Sequence, residues 1–298
     1  MRLASFMTGD GNVRTGVVLK GERVLDLAGA GRDLPFDSAD MHSLIASGAA
    51  GLEAVRELAA RRPDGTHDLT SVRLTAPIPR PRKNIFCVGW NYLEHFEESK
   101  RLGKNIEVPA FPTYFTKTPT TANGPYDPVL IDPALTEQVD WEAELALVIG
   151  RSGRDIAEEQ TASHIFGYMV MNDVSAREVQ RRHGGQWFKG KSLDGFAPMG
   201  PWIVTADEID PSDLRIATRV NGVTMQDSST RFLYFKIPRI IAELSRGMTL
   251  EAGDIISTGT PEGVGFARNP VQFLHPGDVL ETEIEGIGVL RNPIGLVG

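Results

Sequence analysis

The sequence predicts a mostly-β, α+β fold with few helices, and three features carry that expectation. Short runs in which apolar and polar residues alternate, the period-2 pattern of strands, recur along the chain. Gly and Pro punctuate them, with 31 Gly and 19 Pro in 298 residues, as turns between many short strands require. Strand and helix patterns do not alternate regularly, which argues against a Rossmann or barrel fold.

Residues 2–28 read as short strands around Gly turns, as in VRTGVVLKGERVLDL. Ser38 stands where a helix N-cap belongs, and SADMHSLIASGAAGLEAVRELAARR reads as one or two short helices. RPDGTHDL brings turn chemistry, and the Pro-rich LTAPIPRPRKNIFCVG is an extended entry into a new strand. That break divides the chain into a small N-terminal α/β domain, residues 1–75, and a larger domain, residues 76–298. In the larger part KNIFCVG is a strand, NYLEHFEESKRLG a short helix or helical loop, and FPTYFTKTP extended. HIFGYMVMNDVSAR is a strand that runs out into a helix or turn. In LRIATRVNGVTMQDSS, Asn221-Gly222 supplies the positive-φ pair of a type I′ hairpin turn. IPRIIAELSRG is a helix with Pro238 near its start and Gly247 at its end, and GDIISTGTP and GDVLETEIEGIGVL are further strands.

At 41% hydrophobic and 23% charged, the composition is that of an ordinary soluble globular protein with ample core. A net charge of −8 without any Lys/Arg run argues against a nucleic-acid footprint. The one cysteine, Cys87, excludes an internal disulfide framework and fits a reducing cytoplasm. MRLASFMTGDG lacks the apolar segment of a signal peptide, and no apolar run approaches membrane-spanning length. Six scattered histidines and one cysteine give no zinc-type spacing, so any metal here is expected to be carboxylate-bound.

The most informative stretch is DWEAELALVIG, Asp140 to Gly150. Trp141, Ala143, Leu145, Leu147 and Ile149 occupy one phase, and Asp140, Glu142 and Glu144 the other until Ala146 and Val148 take over. On a strand Glu142 and Glu144 share a face, about 7 Å apart. There they repel unless a cation sits between them, and a hard cation with oxygen ligands suits the pair. A solvated polar face on a half-exposed strand accounts for the same pattern.

Gly185 to Ser192, GQWFKGKS, matches the phosphate-loop pattern GxxxxGKS letter for letter. A phosphate loop must open a helix, yet LDGFAPMGPW follows, and Trp187 and Phe188 would crowd the amides that phosphate needs. Nucleotide hydrolysis is therefore rejected.

Four polar clusters remain: Glu142 with Glu144; Asn172-Asp173 followed by Arg177 and Gln180 at helical spacing; Lys189 to Phe196 around Lys191; and Ser257 to Gly265 around Thr260. Singly, each has a plain explanation: a turn Asp, a surface ion pair, a solvated Lys, a turn Thr. In order and wording, however, residues 83 to 294 closely resemble the fumarylacetoacetate hydrolase family. The motifs that carry the resemblance are GWNYLEHFEES, FTKTPTT, DWEAELALVIG, GYMVMNDVSAREVQ, KGKSLDGFAPMGPW, NGVTMQDSST and GDIISTGTPEGVG.

The resemblance implies a mixed β-sandwich roll with a small N-terminal domain, commonly a homodimer. It implies Mg²⁺ or Mn²⁺ bound by Glu142, Glu144 and Asp173, with Lys191 supporting substrate and metal. It gives Arg177 and Gln180 the substrate's oxo-acid oxygens and Thr260 its carboxylate. His95 and Glu98 match a lid dyad, and their i,i+3 spacing would let the Glu orient the imidazole on one helix face. Without the resemblance, His95 reads as a surface histidine. The implied activity is metal-dependent hydrolysis of a C–C bond in an acylpyruvate-type (2,4-dioxo acid) substrate through a stabilised enolate, as in aromatic-compound catabolism, with His95 activating water. The same chemistry serves isomerisation of hydroxy-diene diacids, decarboxylation of oxaloacetate and dehydration of sugar acids, so an isomerase or lyase is the alternative. A non-catalytic homologue would require a broken acid/base set, and this one is intact. One departure is the lengthened stretch Gly265 to His275, which bears on the substrate's distal end.

Overall fold

The structure, a computed structural model, describes residues 1–20, 22–30, 34–61, 65–94, 96 and 108–298. In chain order the elements begin with β1 (Arg2–Met7), β2 (Val13–Leu19), β3 (Arg23–Asp26), α1 (Met41–Ala46), α2 (Gly48–Ala60), β4 (Thr66–Asp68) and β5 (Arg73–Leu74). There follow β6 (Ile85–Gly89), β7 (Thr113–Lys117), β8 (Ala122–Asn123), β9 (Val129–Ile131), β10 (Val139–Asp140), β11 (Ala143–Ile149) and β12 (Ile165–Asn172). The chain continues with β13 (Ser175–Ala176), α3 (Arg177–Arg182), α4 (Phe188–Lys191), β14 (Ala197–Thr205), β15 (Arg215–Val220) and β16 (Val223–Ser229). It ends with α5 (Ile237–Ser245), β17 (Ile255–Ser257), β18 (Val279–Ile284) and β19 (Gly288–Leu296).

The large sheet runs β4-β3-β2-β1-β14-β12-β11-β17-β6-β7, with β5 on β1 and β8 on β14. A second sheet runs β16-β15-β18-β19-β9, and β10 pairs with β13. The mostly-β, α+β expectation holds. Strand β11 lies near the middle of the large sheet, and its alternation places its two faces in two different cores. Ala143, Leu145, Leu147 and Ile149 join one apolar cluster with α5 residues such as Ile240 and Ile241. Ala146 and Val148 join another, with Leu25, Leu44 and Val55 from the first 60 residues. The unit expected over residues 1–75 thus shares a core with β11, and β1 pairs with β14 through Leu3 and Ile203.

Local signals mostly work as read. Asn221 and Gly222 have φ of 51° and 78°, the pair that a type I′ hairpin requires. Gly247 terminates α5 at φ 71°. The cap of α1 is an exception: Asp40, not Ser38, accepts the His42 N–H, at 3.0 Å. Both residue types cap well, and the position is decided by where the apolar run Met41, Leu44, Ile45 begins. The THD of RPDGTHDL, expected as turn, is strand β4 on the free edge of β3. Among the described residues no helix is long and apolar enough to cross a membrane.

Candidate active site

Glu142 and Glu144 sit at the start of β11, and Asp173 follows the end of β12, which is antiparallel to it with Ala143 opposite Asn172. Two bonds lock this corner: the Asp173 N–H donates to the Glu142 carbonyl at 2.8 Å, and the Glu142 N–H to Asn172 Oδ1 at 3.0 Å. Asn172 in turn donates to Thr282 of the second sheet at 2.9 Å. All three carboxylates are buried, and their ligand oxygens lie within 4.8 Å of one another. The solvated-face explanation of the Glu pair is therefore excluded. Burying like charges this close is costly unless cations intervene.

Cations do intervene. Lys191 Nζ lies 2.7 Å from Glu142 and 2.7 Å from Asp173, and is itself buried. Burial acts to lower its pKa, but the charges of Asp173 and Glu142 raise it further, so it stays an ammonium. This is the Lys of the phosphate-loop look-alike, and it sits between carboxylates, where a phosphate would be repelled. Arg177 binds Asp140 through Nε at 2.8 Å and Glu142 at 2.7 Å, and donates to Gln180 at 3.2 Å. Its guanidinium stacks on Phe266, 4.5 Å from the ring centroid. Glu144 differs from its neighbours. Both of its hydrogen bonds fall on Oε2, from the Ser257 hydroxyl at 2.5 Å and the Gly259 N–H at 2.9 Å. Oε1 accepts none from a described residue. Burial, then the charges of Asp173 and Glu142, push its carboxyl well above the usual range.

These groups open on a cavity of about 170 Å³. Arg177, Gln180 and Arg181 of α3 line one side, and Trp90, Phe115 and Trp187 form an aromatic wall. Trp187 packs edge-on against Trp90 and Phe115, with centroids 6.0 and 5.2 Å apart. It reaches that position only because residue 89 is Gly: a Cβ there would lie 2.2 Å from the Trp187 ring. Thr260 lines the floor, its hydroxyl accepting from Gln226 at 2.9 Å. Glu142, Glu144, Lys191, Arg177, Gln180 and Thr260 line this cavity, and Asp173 joins them through Lys191. His95 and Glu98 lie outside the described residues.

Three residues of the site escaped the sequence reading. Lys117, fully buried, donates to Asp173 Oδ1 at 2.6 Å and to the Val174 carbonyl at 3.1 Å; burial lowers its pKa against the pull of Asp173. Asp140 anchors Arg177 and also accepts the Gly265 and Phe266 N–H groups, at 2.6 and 3.1 Å. It pins the lengthened loop to the site. Gln226 fixes Thr260 while accepting from the Ala143 N–H at 3.0 Å. Lys117 and Gln226 belong to motifs that were singled out, FTKTPTT and NGVTMQDSST, and each is a long polar residue at a buried strand position; that mismatch was the available signal.

Among the described residues the donor set fits a hard divalent cation: three buried carboxylates, one Glu144 oxygen without a hydrogen bond, and an ammonium already bridging two of the three. The chain belongs to the fumarylacetoacetate hydrolase family. The family model described as fumarylacetoacetate (FAA) hydrolase C-terminal matches residues 84–295. The chain is 42% identical to oxaloacetate tautomerase YisK of Bacillus subtilis, over 97% of this chain and 99% of that protein. It superposes on a fumarylacetoacetate hydrolase from Exiguobacterium antarcticum with a TM-score of 0.82 at 40% identity, covering 100% of both chains. A 2-hydroxyhepta-2,4-diene-1,7-dioate isomerase from Mycobacterium marinum matches at TM-score 0.76 and 32% identity, covering 100% of this chain and 99% of that one.

Proposed function

We propose that this enzyme interconverts the enol and keto forms of a small 2-oxo diacid, oxaloacetate being the best candidate, with Mg²⁺ or Mn²⁺ as cofactor. The observation that carries the reading is the small cavity lined by Glu142, Glu144, Lys191 and Arg177, with buried Asp173 paired to Lys191 beside it. At about 170 Å³ it falls below the range of drug-sized ligand sites, which suits a four-carbon acid better than a long acyl tail. The near full-length similarity to an oxaloacetate tautomerase supports the same substrate class, and so favours isomerisation over the hydrolysis expected first.

A divalent cation held by Glu142, Glu144 and Asp173 would supply Lewis-acid polarisation of the 2-oxo acid. The chain's own groups do the rest. Arg177 and Gln180 orient the oxo-acid oxygens, and Thr260, held by Gln226, receives the carboxylate. Lys191 complements negative charge as it develops at the substrate oxygen. Among the described residues Lys117 hydrogen-bonds to Asp173 and a backbone carbonyl alone, so its part is to orient that carboxylate. Tautomerisation removes the enol O–H proton and adds one at C3, with no water consumed; His95, oriented by Glu98, is the proposed carrier.

A hydrolytic reading, in which His95 activates water for cleavage of an acylpyruvate, is supported by the likeness to a fumarylacetoacetate hydrolase. The two separate in one assay: decay of enol absorbance with oxaloacetate and with an acylpyruvate, each with and without Mg²⁺, with products analysed. The tautomerase reading predicts Mg²⁺-dependent enol decay to the keto acid without release of CO₂. Acylpyruvate cleavage without any acceleration of oxaloacetate tautomerisation would overturn it.

A further inference from the structure

We infer that Arg181 binds the second carboxylate of the substrate and so selects diacids over mono-acids, an inference that rests on the 2-oxo diacid reading. Every buried cation of the site already faces a carboxylate. Arg177 faces Asp140 and Glu142, Lys191 faces Glu142 and Asp173, and Lys117 faces Asp173. A second substrate carboxylate therefore needs a cation that is not already committed to a carboxylate of the described residues.

Arg181 supplies it. It lines the cavity, and its side chain donates to the neutral Gln138 amide oxygen. No described carboxylate lies within ion-pair distance of it. It follows Arg177 by four residues on α3, so the two share a helix face about one turn apart, roughly 6 Å along the axis. That offset is about the reach of a four-carbon chain. A substrate whose oxo-acid end lies between Arg177 and the carboxylate triad thus presents its far end to Arg181. The neighbouring Arg182 is equally a last-turn cation of α3 but does not line the cavity. Interaction with the helix end serves both arginines alike, and the cavity is what distinguishes Arg181.

The test is calorimetric and needs no turnover. The full-length Mg²⁺-loaded protein is titrated with malate, a 2-hydroxy diacid, and with 2-hydroxybutanoate, in which a methyl group replaces the far carboxylate. Wild type should prefer malate. Arg181→Gln should weaken malate binding about 10- to 100-fold, the loss of one charge-assisted contact, and leave 2-hydroxybutanoate unchanged. Arg181→Lys should retain part of the preference, and Arg182→Gln all of it. Malate preference that survives Arg181→Gln, or its absence in wild type, would overturn the role of Arg181 alone. Wild-type protein that binds neither compound would overturn the 2-oxo diacid reading and this inference with it.

Discussion

The two ends of the cavity are built from different material. The anionic end stands on β11 and β12, strands buried on both faces, with its carboxylates locked by main-chain and Asn172 hydrogen bonds. The cationic end stands on α3, a six-residue helix whose Gln180 is half-buried and whose Arg181 is exposed, and on the Gly265 loop. A charge cluster that must hold a cation needs the stiffness of a sheet centre. An end that chooses among substrates tolerates a short helix and a loop, where change is inexpensive to the fold. Asp140 joins the two, since one carboxylate holds both Arg177 and the loop that carries Phe266.

That contrast can be broken by substitution. At the anionic end, Lys117→Met leaves Asp173 with one fewer buried counter-charge and should cost about 3–5 kcal/mol, read by denaturant unfolding. A loss within the range of ordinary surface changes would show that Lys117 is dispensable to the cluster. His95→Ala should slow enol–keto interconversion by about 10²–10⁴-fold while Mg²⁺ affinity stays at the wild-type level. An unchanged rate would return His95 to a surface histidine.

The pH dependence follows from Glu144, whose folded pKa is raised. Without a cation the folded chain keeps that proton to higher pH than the unfolded chain does. Stability from this group is therefore present at acidic pH and lost as pH rises through the folded pKa. An added divalent ion must displace the proton, so its affinity should fall by about tenfold per pH unit below that pKa. Thermal unfolding across pH, with and without Mg²⁺, reads both effects, and a cation effect independent of pH would contradict the assignment. At the cationic end, Phe266→Ala should remove the stacking on Arg177, about 0.5–2 kcal/mol, seen as weaker substrate binding with the fold and the metal site intact.

The sequence was legible where function is carried by local pattern. The alternation in DWEAELALVIG placed Glu142 and Glu144 on one face, and the spacing of Asp173, Arg177 and Gln180 put a strand end next to a helix. The failure of Gly185 to Ser192 as a phosphate loop also followed from its context. What the pattern hid was long-range. Asp140 reads as one more polar position, yet its partners Gly265 and Phe266 are 125 and 126 residues away. Lys117 reaches Asp173 across 56 residues, and Gln226 reaches Thr260 across 34. No periodicity encodes such pairs, because they exist only once β7, β12, β16 and β17 are assembled. The Ser38 cap failed for a smaller reason: several good cap residues precede α1, and burial of Met41 decides among them.

The claim on which all of this turns is that the strand end of the cavity is a cation site. It is tested most directly by titrating Mg²⁺ into wild-type protein and into Glu144→Gln, which removes one charge at nearly constant volume. Saturable binding of one ion per chain is expected in wild type. In the variant, binding should weaken by more than the roughly 10–100-fold that loss of an outer partner costs, with the unliganded fold no less stable. Equal Mg²⁺ affinity in the two proteins would contradict the account.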